Sequence, residues 1–236
     1  MKSQNYWFKT AIALTLLGIS CPISPSFATR YRPPQTLQRP AGRQGGATRT
    51  GCVMKDFVFE PIIPISNYGH STADYPTIYW YLKNHNYSWA RLDLYPTQDS
   101  LPEEMPQYSK TWKLTNAPPL YSFTFPQNED LKPLEVGREY LWKLTLFCSP
   151  LGPDDDTADG SQVSIQGAIT RVSASSSLSD QLERSDRKYD VYAEEGLWYD
   201  AIHDLATRRQ ERPQDPQLNS DWCDLMKETR LKDNPC

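Results

Sequence analysis

The stretch "REYLWKLTLFC", residues 138–148, places Tyr140, Trp142, Leu144, Leu146 and Cys148 at every second position, with Lys143 and Thr145 between them. Side chains of a strand alternate between its two faces, so this spacing demands a half-buried strand rather than a helix, whose apolar positions recur every three to four residues. The alternation repeats in "TIYWYL" (Ile78, Trp80, Leu82), in "YSWARLDLY" (Ala90, Leu92 and Leu94 opposite Arg91 and Asp93) and in "LYSFTF" (Tyr121, Phe123 and Phe125 against Ser122 and Thr124). With "VMKDFVF", "KTWKLT" and "VSIQGAITRV" this predicts about seven strands between residues 53 and 172, with most prolines between them. Short strands at such intervals suit a two-sheet β-sandwich over 52–173. "LEVGREYLW" sharpens this to an immunoglobulin/fibronectin-like sandwich. Leu134, Gly137 and Tyr140 have the spacing of a corner at which the tyrosine hydroxyl bonds back to the upstream backbone.

The two ends of the chain read differently. Lys2 and Lys9, the apolar run "TAIALTLLGIS" and the small residues Ser26 and Ala28 give residues 1–28 the layout of a cleavable export signal, with the mature chain starting near Thr29. The apolar run is about half the roughly 20 residues needed to span a bilayer, so no integral membrane span is expected. Cys21 offers a lipoprotein alternative, weakened because Gly18 occupies the position where a lipobox usually has leucine. Residues 29–51 carry Arg30, Arg32, Arg39, Arg43 and Arg49 among Pro, Gly and polar residues, which predicts a flexible arm able to tether to anionic surfaces. Residues 52–236 carry 18 basic and 29 acidic side chains, a net charge of −11. That balance argues against nucleic acid as the partner, because such binding rests on neutralising phosphates.

Four cysteines follow the export signal, and an even number in an exported chain suggests disulfides. Of three possible pairings, Cys52 with Cys148 and Cys223 with Cys236 is preferred: the first pair brackets the strands and the second shares the C-terminal segment. No CxxC is present, so the signatures of a thioredoxin-like site and a zinc ribbon are missing. In "GPDDDTADGS", Asp155, Thr157, Asp159 and Gly160 imitate the start of a calcium loop, but Gln166 stands where a bidentate glutamate is needed, and an acidic hairpin tip is expected instead.

The segment 177–236 switches to helical spacing. Ser177 with Asp180 offers a capping box. Leu178, Leu182, Ser185, Tyr189 and Tyr192 predict one helix up to Gly196. Trp198, Ala201, Ile202 and Leu205 predict a second from Leu197 to the residues before Pro213, and a third, capped by Asn219 or Ser220, carries Trp222, Leu225 and Met226. Tyr192, Gly196, Trp198, Ala201, Leu205 and Pro213 partly match a tetratricopeptide-type hairpin, although Lys188, Tyr189 and Arg208 occupy positions where that motif wants small or apolar residues.

Together, "AGRQGGATRTGC", "PLEVGREYLWKLTLFC" and "YAEEGLWYDAIHDLA" resemble the domain-of-unknown-function 928 family of cyanobacterial exported proteins. The resemblance spans residues 41–206 and implies export and a build of sandwich plus helices. It brings no activity or catalytic residues, and the tail cysteines Cys223 and Cys236 depart from it.

The residues favour binding over chemistry. His70, His85 and His203 sit in no GxSxG, HExxH or Cys-His arrangement. His70, Ser71 and Asp74 are close only along the chain. No enzyme activity, cofactor or metal is expected, with a hydrolase as the minority reading. The leading expectation is an adaptor of the cell envelope, periplasmic or secreted, that binds a protein partner through its helical tail. Tyr199, His203 and Asp200, on a face apart from Trp198, Ala201, Ile202 and Leu205, are the candidate contacts. The alternative is glycan binding by exposed aromatics. Of Tyr79, Trp80, Tyr81, Trp89, Trp112 and Trp142, Trp89 is the best stacking candidate because it shares a face with Arg91 and Asp93.

Overall fold

A computed structural model describes residues 29–34, 51–97, 105–115, 119–127, 130–153, 162–229, 231 and 236. The leader-like residues 1–28, the acidic loop at Asp155–Gly160 and most of the arginine-bearing arm lie outside the described residues. Eight strands precede four helices: β1 (Val53–Pro61), β2 (Tyr68–Ser71), β3 (Thr77–His85), β4 (Trp89–Pro96), β5 (Tyr108–Lys113), β6 (Leu120–Thr124), β7 (Glu139–Phe147), β8 (Gln162–Arg171), α1 (Ser176–Arg184), α2 (Lys188–Glu194), α3 (Trp198–Glu211) and α4 (Pro216–Met226).

The strands form two sheets, one of order β1-β3-β6 and one of order β2-β8-β7-β4-β5. All pairings are antiparallel except β2 with β8. The seven strands expected from alternation are present. The eighth, β2, falls in "NYGHSTADY", whose four-residue strand is too short to show a period. In β7 the alternating set Tyr140, Trp142, Leu144 and Leu146 is fully buried, as are Ala90, Leu92 and Leu94 opposite it in β4. Asp93 departs from the expected polar-out pattern. It is buried, bonded by Arg91 Nε at 3.1 Å and by the Ser109 hydroxyl at 2.6 Å, so its charge is paired across β4 and β5.

The corner before β7 forms as its spacing predicts. Gly137 takes a φ of +80°, a conformation that penalises any side chain with a Cβ. The chain then turns so that the Tyr140 hydroxyl accepts the Glu135 N–H at 3.0 Å. A disulfide joins Cys52, ahead of β1, to Cys148, after β7, with Cα atoms 5.8 Å apart; a second joins Cys223 to Cys236.

The helical boundaries differ from the sequence reading in three places. The single helix expected up to Gly196 is two, interrupted at Ser185–Arg187, because the Ser185 hydroxyl accepts the Arg187 N–H at 3.1 Å and competes with helix continuation. The first cap is Ser175, which accepts from Leu178 N, and not Ser177. Asp215, not Asn219 or Ser220, caps α4 by accepting from Gln217 N and Leu218 N, with Pro216 in the first turn.

The helices share a core with the strands. Tyr189, Ala193, Trp198, Tyr199, Ile202, Leu205, Leu218 and Trp222 belong to the same buried cluster as the β4 and β7 side chains. Tyr31 joins it from the start of the arm, so the segment expected to be flexible is anchored there. Tyr31 is buried edge-on against Trp198 with ring centroids 4.8 Å apart, and Arg32 N–H bonds to Ala193 O at 3.0 Å.

Candidate functional site

Helix α3 carries the three residues expected to form a recognition face, and their partners lie in both sheets. The Tyr199 side chain is buried: its hydroxyl accepts the Trp142 indole N–H at 2.8 Å and donates to Ala168 O at 3.0 Å. The expectation that Tyr199 is exposed is therefore corrected. The physical reason is that Trp142 brings a polar N–H into the core of β7 and needs an acceptor there, and Tyr199 supplies it.

Asp200 turns toward the end of β2, accepting the Thr72 N–H at 2.9 Å and the hydroxyls of Ser71 at 3.2 Å and Thr72 at 3.3 Å. Burial pushes its carboxyl up to about 6 even though these hydrogen bonds favour the charged form. It too is committed to the fold. His203 is exposed, with Nδ1 3.0 Å from the Tyr79 hydroxyl, which burial pushes up to about 12. Asp200 and His203 thus go to different partners despite their i, i+3 spacing.

The other sequence candidates are likewise dispersed. His70 Nε2 lies 2.6 Å from the Tyr68 hydroxyl, Ser71 bonds Asp200, and Asp74 pairs with Arg171, so these three residues assemble no triad. Trp89 is half-buried rather than an open stacking platform. Its indole N–H donates to Pro150 O at 3.1 Å, the Lys113 ammonium sits 5.2 Å from the ring centroid, and Gly152 packs alongside. Among the described residues, no group of three or more His, Cys, Asp or Glu side chains is arranged to hold a metal ion.

What the sequence reading missed is a cleft of about 480 Å³ where the break before α2 meets the C-terminal half of α3 and the start of α4. Arg187, Lys188, Arg208 and Arg212 line it together with Asp186 and Asp215, and Arg187 already pairs with Asp190 and Asp221 behind the lining. Its floor is Tyr189, whose ring lies 5.4 Å from the Arg187 guanidinium and 5.9 Å from that of Arg208. The Tyr189 hydroxyl donates to fully buried Asp221 at 2.7 Å; burial and that carboxylate raise its pKa. Arg208 is fixed by Asp204 at 2.6 Å, and Asp204 also accepts the Tyr189 N–H at 3.1 Å. Arg212 reaches Asp215 at 3.3 Å. Lys188 is exposed and makes no ion pair among the described residues. Arg208 in the last turn of α3 and Arg212 at its C-cap were the available signal. Their convergence with Arg187 and Lys188 depends on how α2 packs on α3.

The family model described as Domain of Unknown Function (DUF928) matches residues 44–234. The chain belongs to the DUF928 family. A search of curated proteins finds no match. In this DUF928 chain the matched span takes in every strand and helix and the whole cationic cleft, while Thr29–Pro34 and Cys236 fall outside it. Among the described residues, no helix is long and apolar enough to cross a membrane.

Proposed function

We propose that this DUF928 protein is an exported, non-enzymatic adaptor of the cell envelope that captures an acidic segment of a protein partner in the cleft between α2, α3 and α4. The observation that carries the reading is the convergence of Arg187, Lys188, Arg208 and Arg212 around one concave site on a body with a net charge of −11. Guanidinium groups suit carboxylates because their donors match both oxygens. The net charge of the body does not cancel this attraction at working ionic strength, where the screening length is about 8 Å and the nearest charges dominate.

The adaptor role keeps the helical tail as the binding element but moves its surface from Tyr199 and Asp200 to the cleft. The two sheets act in this reading as an immunoglobulin/fibronectin-like sandwich, supported by the Tyr140 corner, and α2 with α3 as a tetratricopeptide-like hairpin built on it. A periplasmic or secreted location is supported by the leader-like residues 1–28 and by the Cys52–Cys148 bridge, which suits an oxidising compartment. The alternative, glycan binding at Trp89, would use a half-buried ring whose N–H already donates to Pro150 O.

Fluorescence anisotropy with a labelled hexaglutamate peptide tests the cleft. Binding is expected to weaken with added salt and to fall at least about tenfold, or roughly 1.4 kcal/mol, in Lys188→Glu/Arg212→Glu with the melting temperature kept. Equal affinity in the variant overturns the site. Crosslinking in the envelope fraction then identifies the partner as the protein lost from that variant.

A further inference from the structure

Thr29 follows the small-residue pair Ser26 and Ala28 in the sequence, and several independent contacts fix the segment it opens. Arg32 N–H bonds Ala193 O, Tyr31 packs edge-on against Trp198, and Gly196 at φ +74° passes so close to Arg32 O that a Cβ there would lie 2.8 Å from it. These contacts hold Thr29 against α2, where its hydroxyl donates to Asp190 Oδ1 at 2.5 Å and lies 3.4 Å from Arg187 Nη2.

The charges around that point do not balance. Among the described residues, Asp190 on α2 and fully buried Asp221 on α4 share one cation, Arg187, at 2.5 Å and 3.1 Å. Tyr189 adds a neutral hydroxyl, and Asp204 and Arg208 on α3 cancel each other. The cluster therefore carries one negative charge in excess. Burial is the largest influence on Asp190 and raises its pKa, as expected for a carboxylate short of compensation.

We propose that removal of the leader between Ala28 and Thr29 supplies the missing charge, the α-ammonium freed on Thr29 forming a structural ion pair with Asp190. A leader peptidase would hydrolyse the peptide bond, water giving its hydroxyl to the Ala28 carbonyl carbon and a proton to the Thr29 nitrogen. That amine takes a second proton from solvent below its ordinary pKa of about 7.7 to 8.0. Cleavage acts on the chain before it folds, so the docked position of Thr29 does not obstruct it. Processing thus finishes the junction between the first residues and α2, beside the Arg187 that also lines the cleft.

The exported protein, analysed by intact mass and N-terminal sequencing, is expected to start at Thr29; a start at lipidated Cys21 or at any other residue overturns the proposal. The mature chain starting at Thr29 is then compared with the same chain bearing one extra alanine in front, each also as Asp190→Asn. The extension is expected to lower the melting temperature at pH 7 by about 3 to 8 °C and to make no difference in the Asp190→Asn pair. Equal melting temperatures for the two Asp190 chains, or a difference that survives Asp190→Asn, overturns it. The pH sign is fixed: the folded amine pKa is raised, so the stabilisation is full below about pH 7.7 and is lost as pH rises through the folded value. If Asp190→Asn does not fold, acylation of the Thr29 amine, read on the N-terminal peptide, decides. It is expected to be at least about tenfold slower in the native chain than in urea, and equal rates overturn the ion pair.

Discussion

Strands β4 and β7 and helix α3 bury their side chains in different ways. In the strands, the alternating set that looks apolar is the set that is buried. In α3, Trp198, Tyr199, Ala201, Ile202, Leu205 and Ala206 are all buried, a band of roughly 160° at about 100° per residue and wider than the stripe of Trp198, Ala201, Ile202 and Leu205, while His203 and Thr207 remain exposed. A strand with one covered face shows its period directly. A helix packed on both sheets on one side and on α2 and α4 on the other has two buried faces, and the second takes in tyrosine and aspartate side chains that spacing alone assigns to solvent. The lesson is that a recognition face inferred by subtraction, as what remains once the apolar stripe is removed, fails for a helix covered on two sides.

Changes aimed at each layer sharpen the contrast. Opening the Cys52–Cys148 bridge with Cys52→Ser/Cys148→Ser frees a loop of sequence separation 96 and is expected to cost about 4 to 5 kcal/mol by the chain-entropy argument. Urea unfolding of oxidised wild type and variant checks it; a loss below about 1 kcal/mol means the sheets hold that loop closed unaided. In the helical layer, Tyr199→Ala is expected to cost about 3 to 5 kcal/mol, because it leaves a cavity and strands the Trp142 N–H. A stability near wild type in thermal denaturation would return Tyr199 to the surface and break the comparison.

Asp200 supplies a pH test of the same interface. Its folded pKa of about 6 lies above the ordinary value of 3.8 for an aspartate, so the folded state binds the extra proton. This group's contribution to stability therefore rises as pH falls from about 6 toward 4, by at most about 3 kcal/mol and by less for a carboxyl that keeps some solvent contact. Asp200→Asn should flatten that part of the stability profile, and an unchanged slope assigns it to another group. The smallest effect is expected at exposed His203: His203→Ala removes one hydrogen bond to Tyr79 and should cost about 0.5 to 1 kcal/mol in the same assay. A loss as large as that of Tyr199→Ala would make the two positions equivalent and erase the distinction between inner and outer faces.

Legibility followed the range of the interactions. Seven strands, the Tyr140 corner and the break at Gly196 depend on neighbours within a few residues, and they stand in the sequence as period, spacing and glycine placement. The cap at Asp215 is also local, but "DPQ" was passed over in favour of Asn219 and Ser220. Strand β2 was not legible because its four residues owe their strand state to parallel pairing with β8, about a hundred residues away. The cationic cleft was hidden for the same reason: Arg187 and Lys188 are separated from Arg208 and Arg212 by the turn at Gly196, and neither pair stands out in a chain with many surface charges.

By itself the sequence determined what period and composition control: two kinds of secondary structure in order along the chain, an acidic body behind a basic, leader-like start, cysteines placed to bracket the strands, and membership of one family. Tertiary structure alone decided which polar side chains face inward. Tyr199 and Asp93 are buried, and Asp200 half-buried, because hydrogen-bonding groups on distant strands need partners when water is excluded, and that need exists only once the layers have closed. It also decided where cations converge, since the distance between charges on α2 and α3 is set by packing and not by their separation along the chain.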